Sequence, residues 1–572
     1  MQTRQGLMSI GVCGVLAVLH MAQATAQSRA DRQADRLVAD FVYGSLALSP
    51  VTATATGYHR HRGVDLDVRW DDYSAGGIAA SRRFNAQLLR RVDALRAAGL
   101  DAERKADLDI VGDSVGLNLL DLERIQSYRH NPTVYVELIG NGLYNPLVLE
   151  YAPPAARFGS IIARLRALPA LLSQARGNLS DAPEVWNRVA REENAGNIEL
   201  VDRTLRAAAP ADLRAAYDAA AEPALRALRD FSRYLATDLS ARTSDWRLGR
   251  ENYERKCAYV LHTGKSPGQL LAAAEASLAA TRAEMARIAA PRSVEEALAD
   301  VASHHATAAT YMDQVRRTLA DATAFVRAQH LLTLAADSNL QVIETPAFMR
   351  GIYGVGGFNP APALEPKLGA YYWVTPIPNN WPPERVDSKL REYNRYGLEQ
   401  LTIHEAMPGH YVQAEYANRI QPAARRVLRN LWGNGPYVEG WAVYAQQMMT
   451  DEGYLDHDPA LRLALLKQLL RAQANTILDV RLQTMGMSES EALELMMKQT
   501  YQEREEAVAK LQRAQLSSCQ LDFYYAGLNG WNEVRAHYRQ RHGQDFSLQG
   551  FHEAALNEGA VPLPTLDRLL NR

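Results

Sequence analysis

The sequence carries no excess of charge of either sign, and it lacks the segments that usually divide a chain into separate domains. Its 63 lysines and arginines against 65 aspartates and glutamates leave a net charge of −2, so a polyanion such as nucleic acid is not expected as a partner. Gly/Ser-rich or Pro-rich linkers, low-complexity blocks and internal repeats are lacking. Because 47% of the residues are apolar, the chain can fill a sizeable core, and one continuous body is the simpler prediction.

Long apolar runs are lacking after the amino terminus. There, Arg4 precedes an apolar stretch from Leu7 to Ala22, which is followed by Ala24-Thr25-Ala26. This order of charge, apolar stretch and small residues predicts a cleaved secretory signal peptide over residues 1–26. The alternative is an uncleaved anchor, for which the apolar stretch is short. We therefore expect a periplasmic or secreted protein with no membrane span after signal cleavage.

Cysteine is scarce as well, with three in the whole chain. Cys13 falls inside the predicted signal peptide, which leaves Cys257 and Cys519 in the mature protein. An even pair in an oxidising compartment can form a disulfide. Two buried thiols are the alternative, because the sequence does not give the distance between the two α-carbons.

Capping and periodic patterns predict a mostly α-helical fold. Ser266-Pro267-Gly268-Gln269 combines a capping hydroxyl, a proline at the first helical position and a glutamine three residues after the cap. Leu271, Leu278 and Met285 then recur on one helical face. Ser488-Glu489-Ser490-Glu491 is a second capping box. Packing of helices against helices is therefore expected to dominate the architecture.

One short stretch departs from the helical pattern. Glycines and prolines cluster between residues 351 and 383, and within them residues 369–375 form an aromatic and β-branched run that predicts a strand or hairpin. Its Tyr371 and Tyr372 are candidates for contact with a substrate, because an exposed strand can pair with an extended peptide. The alternative is a hairpin that packs its aromatic side chains in the core.

The stretch His404-Glu405-Ala406-Met407-Pro408-Gly409-His410 is the most informative part of the chain. Two histidines and a neighbouring glutamate are components of a catalytic zinc site, which has three protein ligands and one open position. At about 100° per residue, a spacing of six puts the histidines roughly 120° apart around a regular helix, too far to share one ion. Pro408 has no N–H for the carbonyl of His404, and Gly409 follows it. We therefore expect an irregular helix that returns His410 to the metal.

A third ligand is expected from Glu439, which stands in a mostly apolar run between Tyr437 and Ala445. A buried carboxylate needs a cation or a hydrogen-bond donor, and an arginine or a tyrosine hydroxyl is the alternative partner. Glu405 would take a proton from the water that the metal activates, as a general base. The expected site holds one Zn²⁺ per chain, with His404, His410 and Glu439 as its ligands.

Residues 404–413 and 439–445 resemble the two signature blocks of DUF885, a bacterial family named as a domain of unknown function. The family is regarded as zincin-like metallopeptidases of mostly helical fold, and the likeness extends over most of the mature chain. The resemblance implies the same zinc ligands and the same base. It also implies a role for Tyr524, which stands where the family pattern has a tyrosine and could donate to an oxyanion. Tyr525 is its rival, and core packing is the alternative for both.

Two arginines of the carboxy-terminal region, Arg481 and Arg535, are candidates for binding the substrate. A guanidinium group can hold the terminal carboxylate of a peptide through two parallel hydrogen bonds. The alternative is an ordinary ion pair at a helix surface.

These features predict a large helical zincin-like metallopeptidase, with a helical amino-terminal lobe over residues 27–345 and a metal-binding catalytic lobe over residues 346–572. Short peptides that reach a cleft between the lobes are the expected substrates. A metal-dependent amidase or esterase that acts on a non-peptide compound is one alternative. Another is a non-catalytic periplasmic binding protein that contains a metal, although such a protein would not need Glu405. The sequence leaves the oligomeric state open.

Overall fold

The computed structural model describes residues 29–346, 350 and 354–571. The predicted signal peptide, residues 1–26, lies outside them. Helices make up most of the described chain, and its strands form two small sheets, which confirms the predicted mostly α-helical fold. The capping boxes expected at Ser266 and Ser488 are both present, closed by Gln269 and Glu491.

The helices follow one another closely along the chain. In chain order they are α1 (Arg29–Leu48), α2 (Pro50–Thr56), α3 (Ala75–Arg96), α4 (Ala102–Leu120), α5 (Ser127–His130), α6 (Thr133–Val148), α7 (Pro154–Asn178), α8 (Glu184–Glu199), α9 (Arg206–Ala208), α10 (Arg214–Tyr234), α11 (Gly249–Leu261), α12 (Pro267–Ala289), α13 (Val294–Ser303), α14 (Tyr311–Ala328), α15 (Pro383–Glu392), α16 (Arg395–Glu405), α17 (His410–Ala417), α18 (Ala423–Leu431), α19 (Gly435–Asp451), α20 (Pro459–Thr484), α21 (Glu489–Glu494), α22 (Arg504–Leu516), α23 (Asp522–His542), α24 (Leu548–Asn557) and α25 (Leu563–Leu570). Short π-helical or 3₁₀ turns adjoin some of them, at Asp121–Ile125, Leu200–Leu205, Ala211–Leu213, Leu235–Leu239, Leu495–Gln499 and Gly543–Asp545.

Two small sheets interrupt the helices. Between α2 and α3, strands β1 (Arg60–His61) and β2 (Val64–Asp65) pair antiparallel. Between α14 and α15, a three-stranded sheet has the order β3-β5-β4, from the strands β3 (Leu340–Glu344), β4 (Gly356–Asn359) and β5 (Ala370–Val374). β3 runs parallel to β5 and β4 antiparallel, so that Tyr372 pairs with Val342 on one side and with Phe358 on the other.

The strand predicted at residues 369–375 is β5, but its backbone is not open to a substrate. Both of its edges are already paired within the sheet, one with β3 and one with β4. The predicted pairing of a peptide with this strand is therefore wrong. Aromatic packing, the alternative, describes β5 better, because Tyr372 and Trp373 are buried.

The apolar side chains form one large core and two smaller clusters, of which the smallest surrounds Cys257 and Cys519. The large core joins the first helices to the carboxy-terminal helices, and Phe41, Val111, Trp441 and Trp531 all belong to it. The larger of the two smaller clusters consists of residues between 135 and 239, mainly on α6, α7, α8 and α10. Side chains on both sides of the predicted lobe boundary at residue 345 thus pack into one continuous body.

A disulfide joins two distant parts of the chain. Cys257 on α11 and Cys519, just before α23, are bonded, with their α-carbons 5.4 Å apart. Of the two alternatives that the sequence left open, the disulfide is the one present, and it fixes α11 to the start of α23.

None of the described helices has, by itself, the length and hydropathy of a membrane span. α1 and α2 reach that threshold only as a pair, and they are bent by 116° at the break between them.

Candidate metal centre

The helix that carries the first histidine stops before the second one. α16 ends at Glu405, a turn follows, and α17 begins at His410. Position 409, just before the new helix, requires glycine because a Cβ atom there would overlap the carbonyl oxygens of His404 and Ile403. The irregular helix that the sequence predicts around this glycine is confirmed, in the form of a complete break.

The turn is fixed to α19 by a tryptophan. The indole Nε1 of Trp441 donates to the carbonyl oxygens of Pro408, at 2.9 Å, and Gly409, at 3.2 Å. Trp441 is fully buried, and it lies two residues after Glu439 on the same helix. The same side chain therefore holds the turn and the helix of the expected third ligand in a fixed relation.

Three side chains converge at this break. The Nε2 atoms of His404 and His410 lie 3.4 and 3.5 Å from one oxygen, Oε2 of Glu439. The two imidazole rings are nearly perpendicular, with centroids 4.8 Å apart. The side chains are 13, 12 and 18% exposed, so the group lies in a recess. The structure thus brings together the three residues that the sequence predicts as metal ligands.

The spacing of these atoms fits a zinc ion. Tetrahedral ligands at roughly 2.0–2.1 Å from zinc lie roughly 3.4 Å from each other, which matches the distances from Oε2 of Glu439 to the two nitrogens. This oxygen is buried and has no hydrogen-bond partner among the described residues. Because such an oxygen is costly to bury, a divalent cation would supply the missing partner. Two imidazoles and a carboxylate are a donor set that suits Zn²⁺.

The charge of Glu439 favours a cation as well. Burial alone raises the pKa of Glu439, but the imidazoles of His404 and His410 outweigh it and hold this pKa well below the usual value. Burial lowers the pKa of His410, whereas Glu439 and Glu405 raise it to a net value above that of a free histidine. Glu439 is therefore ionised at neutral pH, as a metal ligand must be.

Glu405 lies at the end of α16, beside the three ligands. Its charge contributes to the raised pKa values of His410 and Tyr372, which puts its carboxylate close to both side chains. The residue is half-buried. Within the described chain it makes neither a hydrogen bond nor an ion pair. Its carboxylate oxygens are therefore free to accept a proton.

α19 and α23 cross at a contact between two glycines. A Cβ atom on Gly440 would overlap the backbone of Gly527, and a Cβ atom on Gly527 would overlap the carbonyl oxygen of Pro436. The close approach brings Tyr524, one turn before Gly527, next to the candidate ligands. Its ring stacks on that of His404, with centroids 6.2 Å apart. The absence of a side chain at Gly440 and Gly527 thus lets a second helix approach the site.

Of the two adjacent tyrosines, Tyr524 is the one at the candidate site. The hydroxyl of Tyr525 lies 2.7 Å from that of Ser277 on α12 instead. Tyr524 accepts a hydrogen bond from Nη2 of Arg513 at 2.9 Å. Burial raises the pKa of Tyr524 to about 12, although Arg513 lowers it in part. The phenol therefore keeps its proton at neutral pH.

Comparison with known protein families identifies the chain. The sequence profile of the family described as "Bacterial protein of unknown function (DUF885)" matches residues 50–570. The chain belongs to this family. Membership is thereby confirmed, whereas the zinc ligation and peptidase activity that the resemblance implies stay predictions.

Two solved structures share the fold of this DUF885 protein. One is described as "a putative lipoprotein of unknown function" from Shewanella oneidensis, with 28% identity and a TM-score of 0.77 over 94% of this chain and 100% of that one. The other, "the putative lipoprotein from Colwellia psychrerythraea", has 18% identity and a TM-score of 0.75 over 94% and 98%. The latter likeness shows the fold alone. No curated protein matches the chain at a significant level.

The two tyrosines predicted to contact substrate point to opposite faces of β5. Tyr372 is fully buried, and its hydroxyl lies 3.4 Å from Oγ1 of Thr402 on α16. The predicted contact of Tyr372 with a substrate is therefore wrong, because the side chain is buried against α16, the helix that carries His404. Tyr371 is half-buried near Tyr144 and Glu150, and its role stays a prediction.

The two predicted arginines have partners elsewhere in this DUF885 protein. Nη2 of Arg481 lies 2.6 Å from Oε1 of Glu275, which is the ion pair that the sequence left as the alternative. Arg535 donates to the hydroxyl of Tyr444 at 3.3 Å. Within the described chain, no hydrogen bond or ion pair joins either arginine to the three candidate ligands. Their binding of substrate stays a prediction.

Two cations near the site were not predicted from the sequence. Lys510 and Arg513 lie on α22, and the charge of Glu439 acts on both. The apolar residues Ala507, Leu511 and Ala514 form the buried stripe of α22. Lys510 stands on that stripe, which is an unusual position for a lysine. This was the one available signal, and it points to a buried cation without indicating what lies opposite.

Proposed function

We propose that this protein hydrolyses peptide bonds in short peptides with the help of a zinc ion. The observation that carries the proposal is the convergence of His404, His410 and Glu439 on one point, beside a glutamate that makes no ion pair or hydrogen bond within the described chain. These three residues would hold the ion. When bound, it would polarise a carbonyl group and lower the pKa of a water molecule to about 7.

Glu405 is the general base in this proposal. Its carboxylate accepts a proton from water as the water attacks the peptide carbonyl, and it then passes the proton to the leaving amine. The position of the carboxylate is supported by the end of α16 at this residue. Proton transfer of this kind accelerates a reaction by roughly 10²- to 10⁴-fold.

Tyr524 is the expected donor to the developing oxyanion. Its phenol is protonated at neutral pH and faces the ring of His404. Arg513 donates to its oxygen, so a positive charge lies directly behind the phenol. A donor whose position is fixed in this way stabilises negative charge that appears only in the transition state.

Short peptides are the proposed substrates because the ligands lie in a recess. Their side chains are less than a fifth exposed, and the helices that carry them contact α14 from the predicted amino-terminal lobe and α23 from the predicted catalytic lobe. A flexible short peptide can enter such a recess, whereas a peptide bond within a folded protein cannot reach it without unfolding.

The proposal includes a location outside the cytoplasm, in the periplasm or beyond it. The predicted signal peptide over residues 1–26 supports this location. The disulfide between Cys257 and Cys519 does so as well, since such bonds persist in oxidising compartments. Both structural relatives are described as lipoproteins, which agrees with export.

The proposal is tested with the purified mature chain and its Glu405→Gln variant. We expect about one zinc per chain in both proteins by elemental analysis, and a fall in the hydrolysis of a tripeptide by roughly 10²- to 10⁴-fold in the variant. Glu494→Gln is the matched control, because Glu494 is exposed and pairs with Lys498. This control should keep full activity.

Three results would contradict the proposal. Unchanged turnover in Glu405→Gln would reject the mechanism. Hydrolysis of simple esters or non-peptide amides in the absence of any peptide cleavage would favour an amidase or esterase. Retention of zinc with no hydrolysis of peptides, amides or esters would favour a non-catalytic metal-containing binding protein.

A further inference from the structure

Lys510 and Arg513, two basic residues of α22, lie beside the candidate metal centre, and the space between them is called the positive pocket. Nη2 of Arg513 donates to the hydroxyl of Tyr524 at 2.9 Å and to Oε1 of Gln520 at 3.0 Å. Both partners are neutral groups, so the charge of Arg513 is not matched by them. Because Tyr524 stacks on His404, the guanidinium lies one side chain away from the candidate ligands.

Lys510 lies one turn before Arg513 on the same helix and is only 4% exposed. No hydrogen bond or ion pair to its ammonium occurs within the described residues. Burial lowers its pKa, and the positive charges of Arg471 and Arg513 lower it further. A cation on such a buried side chain gains from a negative partner, and none of the described residues forms an ion pair or a hydrogen bond with it.

The carboxylates nearest to these cations are already engaged. Glu506 forms an ion pair with Arg471 and accepts a hydrogen bond from the hydroxyl of Tyr393 at 2.9 Å. Glu439 is a candidate ligand of the metal ion. Neither acid is therefore available to Lys510 or Arg513, and the charge of Arg513 is not balanced by a carboxylate bonded to it.

The guanidinium of Arg513 can be reached from solvent. Arg513 is exposed to solvent although protein atoms surround it on most sides. It thus lines an enclosed recess that solvent can enter, and not the outer surface. A guanidinium group beside an ammonium group in such a recess suits a carboxylate, which accepts from both.

We infer that Lys510 and Arg513 bind a carboxylate of the peptide substrate, and that the free carboxyl terminus is its main source. The inference rests on the proposed function, because it names the substrate class of the same site. Consecutive α-carbons of a peptide lie about 3.8 Å apart. When the terminal carboxylate is bound at Arg513, the peptide bond one or two residues from the carboxyl end therefore lies beside Tyr524. Removal of residues from the carboxyl end is the expected reaction.

Binding is measured by calorimetry on the full mature chain with zinc, in the Glu405→Gln background, so that no turnover interferes. The ligands are trialanine, trialanine amide and a tripeptide amide with one glutamate. We expect trialanine to bind about 10- to 100-fold more tightly than its amide, because hydrogen bonds between charged groups are lost in the amide. Lys510→Met should remove most of this ratio, and Lys510→Arg should keep it.

The outcomes separate the inference from the proposed function. Equal affinity for trialanine and its amide overturns the inference, even if the wild-type protein cleaves peptides. A clear preference for trialanine in a protein without any peptidase activity supports the carboxylate pocket and rejects the proposed function. Preference for the glutamate amide over trialanine would assign the pocket to an acidic side chain instead of the terminus.

A second variant keeps the test valid if Lys510→Met does not fold. Arg513→Gln, checked by circular dichroism, then takes its place in the same binding measurement. A ratio between trialanine and its amide that is unchanged in this variant overturns the inference, whereas a ratio near one supports it.

Discussion

Two buried clusters of polar groups, one around Arg164 and one around Glu439, differ in how completely their hydrogen bonds are made. Arg164 on α7 is fully buried, and its guanidinium donates to the carbonyl oxygens of Arg69 (3.0 Å) and Gly142 (2.6 Å) and to Oγ1 of Thr54 (2.8 Å). This arginine therefore joins several segments of the amino-terminal half to one another. It leaves no group open to an external ligand.

The candidate metal centre is built in the opposite way. Oε2 of Glu439 and Nδ1 of His410 are buried without a hydrogen-bond partner among the described residues, and Lys510 makes none there either. Buried polar groups in proteins are nearly always paired, so unpaired ones in a recess indicate partners that come from outside the chain. The first cluster therefore stabilises the fold, whereas the second, in the proposed function, holds ligands at some cost in stability.

The largest effect is expected from Glu439→Ala. The zinc content should fall from about one per chain to near zero, since only two protein ligands remain, and peptide hydrolysis should fall by more than about 10³-fold. Elemental analysis and a peptide assay measure the two effects. Full zinc content in this variant would refute the assigned ligand set.

Arg164→Met is the converse experiment. The loss of the guanidinium leaves several buried acceptors unpaired, so the free energy of unfolding should fall by about 3–5 kcal/mol. The zinc content of the folded protein should not change. Arg166→Met on the same helix is the matched control, since Arg166 is exposed, and it should stay within about 0.5 kcal/mol of the wild type. Denaturant unfolding measures both variants, and a loss of zinc on Arg164→Met would break the contrast.

The histidine motif of the candidate site was predictable because its signal is local. His404, Glu405 and His410 lie within seven residues of one another, and Pro408 with Gly409 already predicts the interruption of the helix. The helical fold was predictable for a similar reason, since capping boxes and apolar periodicity are patterns within single helices. Such local signals do not depend on how the rest of the chain packs.

The features without a local signal have the opposite origin, because they depend on partners distant in the sequence. Arg481 pairs with Glu275, which lies 206 positions earlier, and no local pattern indicates that pair. The sequence of β5 predicts an exposed strand, but β3 and the glycine-containing β4 pair with its two edges. Arg513 has the pattern of a solvated position, and the apolar neighbours of Lys510 indicate only that it is buried, not that α22 packs beside the candidate metal centre.

The adjacent residues Tyr524 and Tyr525 allow a matched pair of variants at the candidate site itself. Tyr524→Phe should lower kcat for peptide hydrolysis by about 10²- to 10³-fold, as expected when one oxyanion donor is removed, and should leave the zinc content unchanged. Tyr525→Phe is the matched control, because it removes only the hydrogen bond with Ser277. It should cost about 1 kcal/mol of stability and little activity. Equal activity of the two variants would remove Tyr524 from the mechanism.

The smallest effect is expected where α19 and α23 touch. Gly440→Ala forces a Cβ atom against the backbone of Gly527, so the helices must separate, at a cost of about 1–3 kcal/mol in the free energy of unfolding. Glu439 moves with α19, and the affinity for zinc should therefore weaken along with the stability. Gly159→Ala is the matched control, because nothing lies within 4 Å of its added methyl group on α7. It should raise the stability by about 0.5–1 kcal/mol and leave the zinc affinity unchanged. Unaltered stability and zinc affinity in Gly440→Ala would show that the close helix contact is not needed to hold the ligand in position.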